Sequence, residues 1–400
     1  MGFDVQAVRD HFPALAEGAA HFDGPGGSQV PDVVAEAVAR VLTSAVSNRD
    51  RLTASGRRAD DIVLAARTAM GDFVGVDPRG IVFGRSMTQL TYDFARTLAK
   101  TWTAGDEVVV TRLDHDANIR PWVQAAAAEG VTVRWVDFDP KTGELSPGDI
   151  AAVLSERTRL VAVTAASNLI GTRPPVREIA DLVHAAGALL YVDGVHYAAH
   201  SLVDVTGIGA DFFACSPYKF CGPHLGVLAA RPERLESLMP DKLLPSANEV
   251  PERFEFGTLP YELLAGTTAA VDFLAGLTSP DGDRRQRLQT SLAAVQAHED
   301  ELRERLESQL AAWSRVEIYS RAARRTPTLL LSVDGHTPAS VARHLAERGV
   351  NAPAGSFYAI EASRTLGLDD TGAVRLGLAP YNDSGDIDRA LAAIGELASE

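Results

Sequence analysis

The chain runs to 400 residues, 46% of them hydrophobic, enough to bury one large core and a smaller one beside it. A formal net charge of −15 with no basic run excludes nucleic acid as the partner, because a phosphate backbone calls for a basic face. No stretch approaches the roughly 20 apolar residues of a membrane helix, and the opening MGFDVQAVRDHF has neither the basic segment nor the apolar core of a secretory leader, so a soluble cytoplasmic protein is expected.

In chain order, the periodicity predicts a short amphipathic helix over 4–15, then the turn-rich His21-Phe22-Asp23-Gly24-Pro25-Gly26-Gly27, then helices over about 31–46 and 57–74. A strand over 80–84 leads through Gly84-Arg85-Ser86-Met87-Thr88-Gln89 into a helical pattern over 90–100. Such a turn offers unpaired backbone N–H groups and a positive dipole end; taken alone it is an ordinary N-cap. A strand over 107–111 precedes Leu113-Asp114-His115-Asp116-Ala117-Asn118-Ile119-Arg120-Pro121-Trp122, where a lone histidine is most simply a cap or a surface residue. Strands over 131–138 and 160–164, with helices near 147–154 and 176–186, continue the alternation of a parallel sheet.

The chemistry concentrates in the next stretch, 188–226. Ala188 to Val192 is aliphatic enough for a buried parallel strand and ends on Asp193-Gly194, at the end of the strand where α/β sheets hold ligands. Residues 211–215, DFFAC, form another short strand, followed by Ser216-Pro217-Tyr218-Lys219 and a Gly222-Pro223 turn. A strand-end carboxylate with a lysine 26 residues further on suggests pyridoxal phosphate chemistry. The carboxylate would keep the pyridine nitrogen protonated, while the lysine would hold the aldehyde as a Schiff base and carry protons. Asp and Lys also share many surface loops, so the pair alone leaves both readings open. Cys215 and Cys221 bracket the lysine too closely for a stapled secreted scaffold, and Cys and His show no metal-ligand spacing, so no metal is expected.

Helices near 233–239 and 261–277, a polar break at Ser279-Pro280-Asp281-Gly282-Asp283 and a long amphipathic helix over 285–313 mark the passage to a smaller domain. A strand over 328–333, a helix over 338–348, a strand over 373–378 and a helix over 384–397 complete it. The charged run from Glu299 to Glu307 reads as a solvated helix face.

Several pieces fall in one order and at one spacing: Ala166-Ser167-Asn168 with Gly171-Thr172; Asp193-Gly194 with His196 and His200; Asp211-Phe212; Ser216-x-x-Lys219 with Gly222-Pro223; and Glu255-x-Gly257-Thr258. Over nearly its whole length the chain resembles the class V aminotransferase and cysteine desulfurase family of fold-type I pyridoxal phosphate enzymes. The resemblance implies an α/β fold with a large, mostly parallel sheet of the seven-stranded type and helices on both faces over residues 20–265. It also implies a smaller α+β domain built from 1–19 and 266–400, and pyridoxal 5'-phosphate as cofactor.

Residue by residue, the resemblance carries His115 flat against the cofactor ring and pairs Asp193 with the ring nitrogen. Asn168 donates to the phenolic oxygen. His196 stands where the desulfurases usually have a glutamine with the same task, or it is simply a satisfied buried histidine. Ser86, Met87 and Thr88 stand at the phosphate turn, where the family usually shows a Gly-Thr-Thr type sequence; Thr88 supplies the hydroxyl. Ser216 is a further phosphate ligand, and Tyr218 replaces a histidine common just before the lysine. Thr258 reaches the phosphate of the neighbouring subunit, which implies a homodimer with shared active sites. The glycine-rich segment 21–27 passes near the entrance or is a plain connecting loop.

Arg375 falls on the family arginine that grips a substrate α-carboxylate, although a structural ion pair would also explain it. In the loop Gly349 to Ala359 the desulfurases carry their nucleophilic cysteine; here that position is Tyr358, and Pro353 replaces an arginine. A phenol cannot form a persulfide. The expectation is therefore a lyase that cleaves the C–S bond of cysteine or a cysteine thioether, with an amino acid as its small-molecule substrate. Lys219 removes the Cα proton, a β-thiolate leaves, and pyruvate and ammonia follow. Tyr358 protonates the departing sulfur or walls the pocket, and Cys221 is a sulfur acceptor or a core residue. Transamination, epimerisation or decarboxylation by the same residues stays open, as does a cofactor-holding protein whose task is to bind a partner.

Overall fold

The computed structural model describes residues 3–278 and 281–399 of the chain, so Ser279 and Pro280 of the polar break lie outside the described residues. Its large sheet contains β1 (Ile81–Gly84), β2 (Glu107–Thr111), β3 (Thr132–Val136), β4 (Thr158–Thr164), β5 (Leu189–Asp193), β6 (Phe212–Cys215) and β7 (Gly226–Ala230). Their order across the sheet is β1-β7-β6-β5-β4-β2-β3. The central strands are parallel and in tight register, with Thr164 beside Asp193 and Asp193 beside Ala214.

Alternation along β5 shows why the sheet is buried on both faces. Leu190 and Val192 join one apolar cluster with Phe73, Val163 and Phe213, whereas Tyr191 points to the opposite cluster with Phe94, Trp122 and Phe212. Helices Ala54–Val74 and Val176–Ala185 supply the first face; helices Met87–Ala99 and Arg120–Glu129 supply the second.

β7 was not foreseen, and it runs antiparallel to both β6 and β1. The connection from Cys215 to Gly226 holds only a short 3-10 turn, too little chain for the helical crossover a parallel neighbour requires. Reversal at β7 still leaves Gly84, Thr111, Thr164, Asp193 and Cys215 with their chain direction toward one edge of the sheet. The site is built along that edge.

The second layer system is a four-stranded antiparallel sheet in the order Ala354–Gly355, Ala373–Gly377, Thr328–Val333, Val316–Ile318. Helices Pro338–Glu347 and Ser384–Ser399 cover it. Its apolar cluster includes Ala20 and Phe22, because the two-residue strand Ala20–His21 pairs in parallel with Val350–Asn351. Helix Tyr261–Ala275, in contrast, packs Leu264, Val271 and Leu274 into the large cluster, as Val8 and Phe12 do from the N-terminal segment.

The two apolar clusters meet along a seam. It runs along helix Arg284–Leu310, whose Leu288 and Leu292 face the large cluster and whose Leu302, Leu306 and Leu310 face the small one. The solvated-face reading of that helix fails at its first member. Glu299 is fully buried and accepts a hydrogen bond at His200 Nδ1, 2.9 Å away, while Glu301 and Glu304 are exposed as expected. Among the described residues, no helix is long and apolar enough to cross a membrane.

Candidate active site

A cavity of about 580 Å³ opens at the carboxyl edge of the large sheet, and Arg375 of the antiparallel sheet lines it too. Asp193, the last residue of β5, forms part of its floor and is 5% exposed. Val195 N donates to Asp193 Oδ1 at 2.9 Å, which leaves Oδ2 for a ligand. Burial pushes this carboxyl up to about 6, against the pull of the Val195 N–H and of Lys219.

Beneath it lies a second buried acid. Asp114 accepts hydrogen bonds from Thr111 Oγ1 and, at 2.7 Å, from Asn118 Nδ2, and burial raises it to about 8. A carboxyl held near neutrality there spares the floor a second full negative charge.

Lys219 closes the 3-10 turn Pro217–Lys219 and donates its amine to the carbonyl of Pro25. Burial and the nearby Arg375 lower its pKa to about 7, with Asp193 opposing them. A substantial neutral fraction therefore exists at neutral pH. The Pro25 contact brings the glycine-rich segment to the cavity, where Pro25 and Gly26 line the wall. Ser28 fastens the same segment, its N–H donating to Tyr218 O at 3.0 Å and its hydroxyl accepting from Cys221 N at 2.8 Å. Tyr218 in turn stacks on His224, centroids 4.7 Å apart.

Helix Met87–Ala99 begins three residues earlier than its apolar pattern suggested, because Ser86 caps it by accepting from Gln89 N at 3.1 Å. Its N-terminus points Ser86, Met87 and Thr88 into the cavity. Ser216, buried on the opposite side of the same end, makes no cap hydrogen bond with its side chain. Gly226 makes this cradle possible: a Cβ there would lie 2.2 Å from the Ser86 carbonyl carbon.

His115 also lines the cavity, with Nδ1 accepting from Ala117 N at 3.0 Å. Burial, with Lys219 and Arg375 nearby, holds it down near 4, so the ring is neutral. His196 places Nε2 2.9 Å from the hydroxyls of both Thr326 and Thr328, and its Nδ1 is buried without a partner. For Nδ1 to donate to a ligand, one threonine must donate to Nε2. Asn168 departs in part from expectation, since the carbonyl of Phe357 takes one of its amide N–H groups at 2.9 Å. Its Oδ1 is buried and unpartnered.

Arg375 is 2% exposed on strand Ala373–Gly377. Its Nη1 donates to Asn168 O at 2.8 Å, its Nε is buried without a partner, and no ion pair to it forms among the described residues. The structural ion pair considered above is thus not what holds it. Burial lowers it to about 9, with Asp23 pulling the other way from beyond ion-pair distance.

Tyr358 sits at the mouth, 77% exposed, its ring 5.6 Å from that of His115. Both cysteines are core residues: burial pushes the Cys221 thiol up to about 12 and the Cys215 thiol higher, and neither lines the cavity. Thr258 is exposed and does not line the cavity of its own chain. Residues that sequence reasoning had not singled out also line it, chiefly Tyr92, Asp116, Arg120 and Phe357.

Residues 20–390 match the family model described as aminotransferase class-V. The chain belongs to the class-V aminotransferase family. Within this family, it is similar over 99% of its length, at 34% identity, to the whole of an uncharacterized protein of Mycobacterium tuberculosis. It is 31% identical to a probable cysteine desulfurase of Pseudomonas aeruginosa, with 96% of each chain covered. Among solved structures, the cysteine desulfurase CsdA of Escherichia coli superposes with a TM-score of 0.87 at 25% identity, covering 99% of both chains. The fold is therefore fold-type I, and the cofactor of the family is pyridoxal 5'-phosphate.

The residues present fit that group. An unsatisfied acid lies at a strand end, a partly neutral amine lies across from it, and a helix N-terminus with free hydroxyls at Thr88 and Ser216 suits a phosphate. The buried and unpartnered His196 Nδ1, Asn168 Oδ1 and Arg375 Nε are the kind of orphans that a polar ligand satisfies.

Proposed function

We propose that the protein is a pyridoxal phosphate-dependent lyase that cleaves the C–S bond of cysteine or a cysteine-derived thioether and releases a free thiol or sulfide. One observation carries the reading: a complete amino-acid site has no usable enzyme thiol beside it. Cys215 and Cys221 are sealed in the core with raised pKa values, and the residue over the mouth is Tyr358. Sulfur cut from a substrate here has no protein thiolate to receive it.

Bound cofactor supplies an electron sink for the charge left at Cα. Thr88, Ser216 and the N–H groups opening helix Met87–Ala99 would hold the phosphate, with Ser86, Met87 and Tyr218 walling it. Asp193, with one oxygen free, would hold a proton on the ring nitrogen, and neutral His115 would wall the ring. Asn168 and His196 would address the phenolic oxygen. Arg375 grips the substrate carboxylate, which places the Cα–H before Lys219 Nζ. Lys219 takes that proton, a step its lowered pKa suits at neutral pH. The β-sulfur departs toward Tyr358, and hydrolysis balances the reaction: thioether and water give thiol, pyruvate and ammonia.

Two copies share these sites in this reading, Thr258 of each reaching the phosphate held by the other; its exposure and its distance from its own cavity support that role. The test is incubation of the holoenzyme with L-cysteine and with an S-alkyl cysteine. Thiol with equimolar pyruvate and ammonia is expected. Alanine with sulfide released only on adding reductant would overturn β-elimination, and a stable pyridoxamine form with a keto acid would move the enzyme to transamination.

A further inference from the structure

Phe357 was not among the residues the sequence pointed to, yet its ring packs on the buried guanidinium that faces the cavity. The Arg375 guanidinium carbon lies 3.7 Å from the centroid of the Phe357 ring, which covers one face of the cation. Asn168 ties the two together, its amide donating to Phe357 O while its own carbonyl accepts from Arg375 Nη1. The neighbouring backbone is held as well: Asp116 N donates to Tyr358 O at 2.7 Å.

Phe357 and Tyr358 both adopt left-handed conformations, φ 52° and 58°, which residues with a Cβ avoid unless their surroundings enforce it. This double turn aims one ring inward onto Arg375 and leaves the other 77% exposed at the mouth. With a face and Nη1 occupied, Arg375 has one free edge. Its Nε is unpartnered, and Nη2 faces Gly26, where an added Cβ would come within 3.6 Å. Two parallel N–H groups along that edge match the two oxygens of a carboxylate.

We propose that Phe357 is a positioning residue for the substrate carboxylate: it holds Arg375 face-on, so that only the Nε–Nη2 edge meets the ligand. The inference rests on the reading of Arg375 as the carboxylate grip and is independent of which bond the enzyme breaks.

Its test uses holoenzyme titrated with L-alanine and with L-alaninamide, read as the change in visible absorption of the bound cofactor. Alanine has no C–S bond, so failure of the lyase reading leaves this titration intact. Phe357→Leu keeps an apolar side chain but loses the π face. Its apparent Kd for alanine should rise by about tenfold or more, the scale of one desolvated cation–π stack, with alaninamide changed by less than about twofold. Phe357→Tyr should restore alanine binding to within about threefold of the parent. Unchanged alanine affinity in Phe357→Leu, equal weakening for alanine and alaninamide, or no rescue by tyrosine would each overturn it. If the parent protein fails to prefer alanine over its amide, the carboxylate reading of Arg375 falls and this inference falls with it.

Discussion

Lys219 couples its proton to the dry side of the cavity, and that coupling has a sign. Its pKa falls from 10.5 in water to about 7 in the folded chain. Between those values the unfolded chain holds a proton that the folded chain does not, so folding of the apoprotein is favoured progressively as pH rises from about 7 to about 10.5. Lys219→Met removes that slope, and urea unfolding of the two apoproteins at pH 7 and pH 9.5 should show the parent gaining on the variant at the higher pH. The rate of cofactor attachment to the apoprotein, followed by absorbance, should rise with pH through a midpoint near 7, not near 10. Tyr358 offers a second test at this scale. Because the residue is 77% exposed, water can protonate a departing sulfur as readily as the phenol can. Tyr358→Phe should therefore lower the rate of pyruvate formation by less than about threefold, and a loss of a hundredfold would make the hydroxyl the acid. Lys219 was legible because it follows a strand end in a short motif, and Tyr358 because it falls where the resembling desulfurases carry their cysteine. Phe357 and Asp114 were not, since their roles come from what the fold brings against them: a guanidinium in one case, a second carboxylate in the other.

At the scale of elements, the parallel core was readable from its aliphatic runs, and the misreadings share a cause. β7, the sequence GVLAA, is too short and too close to a glycine-proline turn to announce itself, yet it carries the glycine that lets the phosphate-facing helix approach the sheet. Glu299 sits in a charged run whose periodicity cannot distinguish one buried member from its solvated neighbours; its partner, His200, lies 99 residues away in the chain. Arg67 is a further case. This buried guanidinium grips both oxygens of Glu255, at 2.8 and 2.7 Å, and so anchors the Glu255-x-Gly257-Thr258 turn, with Phe83 N donating to the same carboxylate at 2.9 Å. Gly226 gives the sharper prediction. A methyl group there meets backbone and not a movable side chain, so β7 and the helix start must separate. Gly226→Ala should cost about 2–3 kcal/mol of stability by chemical denaturation and weaken cofactor binding in an equilibrium titration. A variant as stable as the parent would show that the cradle yields more readily than its packing indicates.

The whole molecule presents one surface that a monomer leaves unexplained. An apolar groove of about 400 Å³ runs along helix Asp32–Leu42, lined by Val30, Val34, Val38, Leu42, Pro223 and Leu263. Leu42 is 67% exposed, and Pro223 and His224 belong to the same loop as Lys219. Apolar surface of this kind beside an active site suits a second copy better than water. The shared-site dimer proposed above makes two separable demands. Leu42→Glu puts a carboxylate into the groove and should reduce the mass measured by light scattering from two chains to one, since an unpaired charge in an apolar contact costs several kcal/mol. Thr258→Ala should leave the mass at two chains while weakening cofactor affinity by about tenfold, the effect of losing one hydrogen bond to a charged phosphate. If Leu42→Glu dissociates the dimer, cofactor affinity should fall with it, because each monomer then lacks the partner's Thr258. A monomeric Leu42→Glu protein that binds cofactor as tightly as the parent would separate assembly from the site and leave each chain to hold its phosphate with Thr88, Ser216 and one helix N-terminus alone.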